Sequence, residues 1–596
     1  MTNGFDVARA TRPCWYASIV SFLLVASCAP QPTARPQATS LAADALLTPV
    51  PTAPPAKYDI LLRNGKVIDG SGNPWFYGDV AILDGRIVAV GSLGNAKADR
   101  VIDATGLAIA PGFIDVHTHA DADLYRIPLA ENFIRDGVTT IVTGNCGGSV
   151  LDVGAYLARL DHRTTLNVAT LIGHNTTLRE VKGDKAGELS PEQMAKAKEI
   201  VRRAMTDGAI GFSTGLIYIP GQWSSTEEII ELHKIAAGYG GIYASHMRNE
   251  GGEILKAIDE ALRIGRETNS RVEISHFKLP SDIAQRIGGA DTTLGRVIAA
   301  RNAGQEVWLD QYPYTASSTS LTTLLPDSIL ADGGDNAKKI LSTPEGVARA
   351  IKEMREQYEV KRGRKHFGYA VIAGSRAFPT YAGKSILEVA QIRKASANGG
   401  AELLTSATQP SSATDVTMED QYRTIIDIYL KGGAQMVFHT MAEQEVMDIM
   451  KNPLVSIASD SGVRQFGSGV PHPRGYGTNA RVLGPYVREQ KLITLEDAIR
   501  KMTSMPATAF RMNGRGLLRA GYAADVVVFD PKTVTDKATF DKPHQYSEGF
   551  TQVIVNGDIV LDGGKMTGDM PGGPIYGPGW DGVVKKRATT EPTTRP

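Results

Sequence analysis

Between residues 113 and 458, short apolar runs rich in Val, Ile, Ala and Thr recur, each followed by a stretch long enough for a helix. The runs fall at residues 113–116, 139–143, 167–172, 209–213, 241–244, 271–275, 306–309, 435–438 and 455–458. Such alternation predicts an α/β fold on a parallel sheet, because parallel neighbours need a helix-length crossover between them. Nine candidate strands for the eight places of a (β/α)8, TIM-like barrel leave one outside it. The polar residues favour the barrel. His117, His119, Cys146, His246, His276 and Asp460 all fall at or just past the C-terminal ends of candidate strands, the edge where barrel chemistry sits.

The first of these ends reads Ala110-Pro-Gly-Phe-Ile-Asp-Val-His117-Thr-His119. In an extended chain residues two apart share a face, so two imidazoles can address one point. An isolated His-x-His is more often a hydrogen-bonded core pair, but the flanking sequence supplies further ligands. Cys146 lies in Thr143-Gly-Asn-Cys-Gly-Gly, His246 in Tyr243-Ala-Ser-His-Met-Arg, and His276 in Glu273-Ile-Ser-His-Phe-Lys. A thiolate and two imidazoles suit zinc, which in catalytic sites keeps a fourth position for water. Asp460, in Ile457-Ala-Ser-Asp-Ser-Gly, is the candidate general base; a turn or helix cap is the competing role for such an Asp.

The chain has 596 residues, with 64 acidic and 64 basic side chains. That balance leaves no net field to draw it to nucleic acid, and a small-molecule substrate is the better expectation. Arg9 and Arg12 precede the apolar residues 15–26, a segment of signal-peptide length rather than a membrane span. Leu24-Val-Ala-Ser-Cys28 resembles a bacterial lipobox, which makes Cys28 the lipidated first residue of an exported protein on the periplasmic side, anchored by lipid to the outer membrane. An ordinary secretory signal or a membrane anchor is the alternative. Residues 29–56, rich in Pro, Ala and Thr, read as a flexible tether. Of three cysteines only Cys146 then remains in the folded part, and a lone thiol there is either inertly buried or a metal ligand.

Short alternating strands with Asn-Gly and Asp-Gly turns fill residues 57–110 and return in 511–572, so both chain ends are expected to build one small β-sandwich. The barrel is assigned to 111–510, with an insertion at about 326–429. Residues 573–596 read as a disordered tail.

Taken together, these motifs resemble the amidohydrolase superfamily and, within it, the N-acyl-D-amino-acid deacylases, from about residue 58 to about residue 572. The superfamily shares the Ala110 to His119 run widely. More specific are Gly144-Asn-Cys-Gly, Ser245-His-Met-Arg, Ser275-His-Phe-Lys, Asp310-Gln-Tyr-Pro-Tyr-Thr-Ala-Ser-Ser, Pro471-His-Pro-Arg with Tyr476-Gly-Thr, and Pro543-His-Gln-Tyr. The resemblance implies a tight zinc on Cys146, His246 and His276, and a second, weaker site on His117 and His119 with Cys146 in the bridging place. It implies Asp460 as acid and base, and Lys278, Tyr312, Ser318 and Arg474 as the groups that read the substrate carboxylate. A structural ion pair is the commoner fate of a lone Lys or Arg, but a guanidinium fork, an ammonium and two hydroxyls suit a carboxylate. Selectivity for D over L follows from the resemblance alone. His174 and His472 read as supporting groups, and His439 is left open. Two rivals stand beside the linear-amide reading: a cyclic-amide hydrolase of the dihydroorotase or hydantoinase kind, and a lipoprotein that binds without catalysis. Oligomeric state is not encoded in any pattern found.

Overall fold

The computed structural model describes residues 57–397 and 416–584. The signal peptide, Cys28 and the tether expected from the sequence lie outside the described residues, as does 585–596.

Eight parallel strands close a barrel: Phe113–Asp115, Val138–Thr143, Asn167–Thr170 running on into Ile172–Gly173, Gly211–Gly215, Ile242–His246, Val272–Ile274, Val307–Gln311 and Val455–Ile457. They pair in that order, with Ile172 beside Phe212 and Leu309 beside Val455. The ring shuts where Thr118 bridges Ser461 and the Asp460 amide donates to the His117 carbonyl at 2.9 Å. Ile114, Val116, Val142, Ala169, Leu171, Ile210 and Ile242 pack with Phe510 and Met512 into one core, while the strands' other faces pack against the helices.

Local sequence sets the helices. In Pro191–Thr206 the Ser190 hydroxyl accepts from the Gln193 amide and the Gln193 side chain accepts from the Ser190 amide, with Pro191 in the first turn. That capping box satisfies two donors the helix cannot. Its buried residues Ala197, Val201, Ala204 and Met205 lie three and four apart, so one stripe faces the barrel. Burying a Val or Met there stabilises the fold by about 1.5–3 kcal/mol each.

The ninth candidate strand lies outside the barrel. Gln435–His439 is the centre of an antiparallel sheet between Ala316–Ser320 and Ala370–Gly374. A short apolar run does not reveal whether its partners run parallel or antiparallel, which is why 435–438 passed for a barrel strand. This sheet belongs to a separately packed unit with its own core, from Leu321 through Met354, Phe367 and Tyr422 to Phe438. The unit therefore extends past both limits of the 326–429 insertion read from the sequence.

Nine strands from both chain ends form the second sheet, in which Val526–Phe529 pairs with Ala108–Pro111 and so ties the two ends together. Ile60, Val80 and Ile87 from one part of the sheet meet Ile109, Val526 and Ile554 from the other in a single core, so the sheet folds over as a sandwich.

Residues 573–584 correct the disordered-tail expectation. The Gly573 carbonyl accepts from the Val168 amide, the Gly577 amide donates to the Gly208 carbonyl, and Tyr576 stacks on Trp580 at 3.9 Å. A Cβ on Gly577 would lie 2.0 Å from the Ala209 carbonyl oxygen. A Gly/Pro-rich stretch reads as loop, yet here the glycines permit close approach to the bottom of the barrel.

Candidate active site

The C-terminal ends of the strands converge on a group of titratable side chains. Cys146, three residues past the second strand, is central: its Sγ is 3.3 Å from His117 Nε2 and 3.6 Å from His276 Nε2. Tetrahedral zinc at its usual bond lengths separates its N and S ligands by about 3.3–3.6 Å, so groups at these spacings could hold a metal ion. His276 Nε2 is 2.7 Å from His246 Nδ1, a hydrogen-bond distance that brings the fourth donor to the same point. His117 and His119 both face Asp460 Oδ1, at 3.6 and 3.1 Å. The residues expected for a tight and a weaker metal site are thus contiguous, with Cys146 between them.

Backbone geometry reflects this crowding. Cys146, His276 and Asp460 adopt left-handed φ values of 52°, 39° and 50°. Each such position costs a non-glycine residue about 1–3 kcal/mol, and packing around it must hold it there. Gly215 is one part of that packing, since a Cβ there would meet the Cys146 carbonyl oxygen at 2.1 Å.

Asp310, at the end of the seventh strand, accepts from the His276 amide at 2.9 Å through Oδ1, and its Oδ2 lies 3.1 Å from His117 Nδ1. It fixes the orientation of one imidazole and the backbone of another. Asp115 accepts from the His117 and Ser459 amides, both at 3.1 Å, so it ties the first strand end to the loop that carries Asp460. Neither was singled out from the sequence as a site residue, although Asp310 opens one of the motifs. Glu250 was also missed. It sits in the loop after the fifth strand, against His246, His276 and Lys278.

The electrostatics are those of an anion-rich metal pocket. Burial alone would push the Cys146 thiol up, but charge on His117 and hydrogen bonds from His117, His119 and His246 outweigh it and hold it well below the usual thiol range. Burial would likewise raise Asp460, and the Arg474 guanidinium, His117 and His119 instead keep its carboxyl well below the usual carboxylate range. His119 goes the other way: its ring is partly exposed, and Asp460 and Cys146 raise it to about 9.

Arg474 opens the helix Arg474–Arg481. Its Nη1 is 2.9 Å from Asp460 Oδ2, and its guanidinium lies over the Tyr312 ring at 4.4 Å. His472 places it, accepting from the Arg474 amide at 3.1 Å through Nδ1 while its Nε2 faces the Ala316 carbonyl at 2.9 Å. The Tyr312 hydroxyl is buried with no hydrogen-bond partner, which suits a group awaiting a ligand. Lys278 Nζ donates to Glu250 Oε1 at 2.5 Å. The Ser318 hydroxyl turns instead to the Met436 carbonyl at 2.8 Å, and it is the Ser318 carbonyl that meets Arg474 Nη2 at 3.4 Å. His439 packs on Phe540, and His174 is buried near Ser224. Beside the site, and touching it through Glu250 and Tyr218, is a cavity of about 1770 Å³ lined by residues of the barrel and of the inserted unit, among them Arg248, Thr319 and Gln435.

Comparison with known proteins supplies the family context. Residues 100–229 and 401–561 match the amidohydrolase family model. The chain is similar to D-aminoacylase of Alcaligenes xylosoxydans xylosoxydans, 36% identical over 541 residues that make up 86% of this chain and 97% of the relative. It is similar to N-acyl-D-glutamate deacylase of the same organism at 34% identity over 530 residues, 85% of this chain and 94% of the relative. Among solved structures, N-acyl-D-glutamate deacylase from Bordetella bronchiseptica, complexed with zinc and a phosphonate mimic of the tetrahedral intermediate, superposes with a TM-score of 0.71 at 32% identity, over 87% of this chain and all of that one.

Proposed function

Because the chain belongs to the N-acyl-D-amino-acid deacylases of the amidohydrolase family, we propose that it is a zinc-dependent hydrolase that cleaves the amide bond of N-acyl-D-amino acids, yielding a carboxylate and a free D-amino acid. The observation that carries the reading is the convergence of Cys146, His117, His119, His246 and His276 on one barrel mouth, with the Asp460–Arg474 pair beside them.

Cys146, His246 and His276 are the residues that would hold the tight zinc, and His117 and His119 with Cys146 the weaker one. Bound there, zinc supplies a Lewis acid that polarises the scissile carbonyl and acidifies water. The chain's own groups do the rest. Arg474 and Lys278, with the free Tyr312 hydroxyl, take the α-carboxylate and so fix the amide relative to Asp460. Asp460 accepts a proton as water adds to the carbonyl carbon, then delivers it to the nitrogen as the C–N bond breaks. Ser318 contributes here through its carbonyl, which accepts from Arg474 Nη2.

The test is release of free amine from N-acetyl-D-amino acids by the zinc-replete chain lacking residues 1–28. Turnover supports the reading. Ring opening of dihydropyrimidines or hydantoins without amine release would favour a cyclic-amide hydrolase, and zinc bound without any turnover would favour a binding role.

We further propose that the chain is exported and held by lipid on Cys28, on the support of Arg9, Arg12, the apolar residues 15–26 and the Leu24 to Cys28 motif. Metabolic labelling with palmitate should mark the full chain and not Cys28→Ala; equal labelling of both would refute it.

A further inference from the structure

His246 and His276 each turn one ring nitrogen toward the metal point, and the structure shows what lies at their other edges. His276 Nδ1 is 3.0 Å from Glu250 Oε1, and His246 Nε2 is 3.7 Å from Glu250 Oε2. One carboxylate therefore faces the outer edges of both imidazoles. His246 Nε2 is buried without a hydrogen-bond partner, so a small closing movement of Glu250 would satisfy it. Glu250 does not itself face the metal point: the nitrogens at the 2.7 Å contact between the two rings are His246 Nδ1 and His276 Nε2, the opposite edges. Lys278 Nζ lies 2.5 Å from Glu250 Oε1 and 2.9 Å from His276 Nδ1; an ammonium cannot accept the Nδ1 proton, so with His276 Nε2 on the metal the acceptor for both donors is Glu250 Oε1. A metal-bound imidazole is oriented, and its tautomer set, by the acceptor at its other nitrogen. One acceptor shared by two ligands couples their orientations.

Resting on the zinc reading above, we infer that Glu250 is a positioning residue that clamps both zinc-binding imidazoles at once, accepting from Nε2–H of His246 and Nδ1–H of His276, and so ties the metal site to the carboxylate-reading Lys278. Glu250→Gln keeps the size and one acceptor but presents an NH2 where the second imidazole N–H needs an acceptor.

The experiment compares wild type with Glu250→Gln by chelator-competition zinc affinity and by the visible spectrum of the cobalt-substituted protein. The clamp predicts a zinc Kd weakened about 10–100-fold and shifted cobalt bands in protein that still folds, whatever stability the zinc-free variant loses with the Lys278 ion pair. Equal zinc affinity and the same cobalt spectrum would overturn the clamp while leaving the zinc site standing; wild type that binds no zinc would overturn both. A readout that needs no variant is the nitrogen-15 spectrum of the zinc-loaded wild-type histidines. Ring N–H protons on Nε2 of His246 and Nδ1 of His276 that are both slow to exchange and shifted to the low field of carboxylate hydrogen bonds support the clamp, and a fast-exchanging, unshifted proton on either overturns it.

Discussion

Replacing Arg474 by Gln removes the guanidinium that reads the substrate carboxylate together with the charge that holds Asp460 ionised. The guanidinium is buried, as is its partner Asp460, with 3% and 9% side-chain exposure, and the pair meets at 2.9 Å over the Tyr312 ring. Removing one member of a close, buried charge pair costs about 2–5 kcal/mol, since the surviving charge is left without a partner. At about 1.4 kcal/mol per tenfold, kcat/KM for an N-acyl-amino acid should fall about 30- to several-thousand-fold. Wild type should discriminate strongly against the neutral carboxamide analogue, and the variant should lose most of that preference. Stability should follow pH in a defined sense. The folded-state pKa of Asp460 is depressed, despite burial, chiefly by Arg474. The pair's contribution is therefore present above the unfolded carboxyl pKa and lost as pH falls toward the folded value. Zinc-free Arg474→Gln should be less stable than wild type at pH 7, and the gap should narrow in acid as Asp460 protonates. Equal losses on acid and carboxamide substrates would refute the recognition role, and a stability gap independent of pH would refute the pairing.

Asp460→Asn should lower kcat by about 10²–10⁴-fold while zinc content is retained, as read by metal analysis beside steady-state rates. Chelation should abolish turnover and zinc should restore it; in the zinc-free protein iodoacetamide should alkylate Cys146 at pH 6.5, below the usual thiol range, and zinc should protect it. His119, held up to about 9, must lose its proton to ligate, so affinity at the second metal site should rise by up to about tenfold per pH unit from 6.5 to 8.5 in titration calorimetry. Phe510→Ala, which empties a buried position in the core shared with the barrel strands, should cost about 3–5 kcal/mol and shorten the half-life for thermal inactivation.

Much of the site is legible because barrel chemistry sits where strands stop, and strand stops can be read from apolar runs. Cys146, His246, His276 and Asp460 follow such ends, and the structure brings them together. Asp310 and Asp115 escaped because each also contacts groups distant in sequence, the His276 amide and His117 ring for Asp310 and the Ser459 amide for Asp115, which no local pattern displays. Glu250 was hidden in a loop whose return toward His276 depends on tertiary packing. The run at 435–438 misled because burial gives an antiparallel centre strand the same apolar texture as a barrel strand, and Gly577 misled because close approach and loop share one residue type. The Ser318 hydroxyl was expected in the carboxylate pocket, and its hydrogen bond to Met436 is set by a sheet register that sequence does not reveal.

The most direct test is kcat/KM for paired N-acetyl-D- and N-acetyl-L-amino acids with the zinc-replete chain lacking residues 1–28. Turnover confined to the D series, lost on chelation and in Asp460→Asn, is the predicted result. Stoichiometric zinc with hydrolysis of neither series would contradict the account.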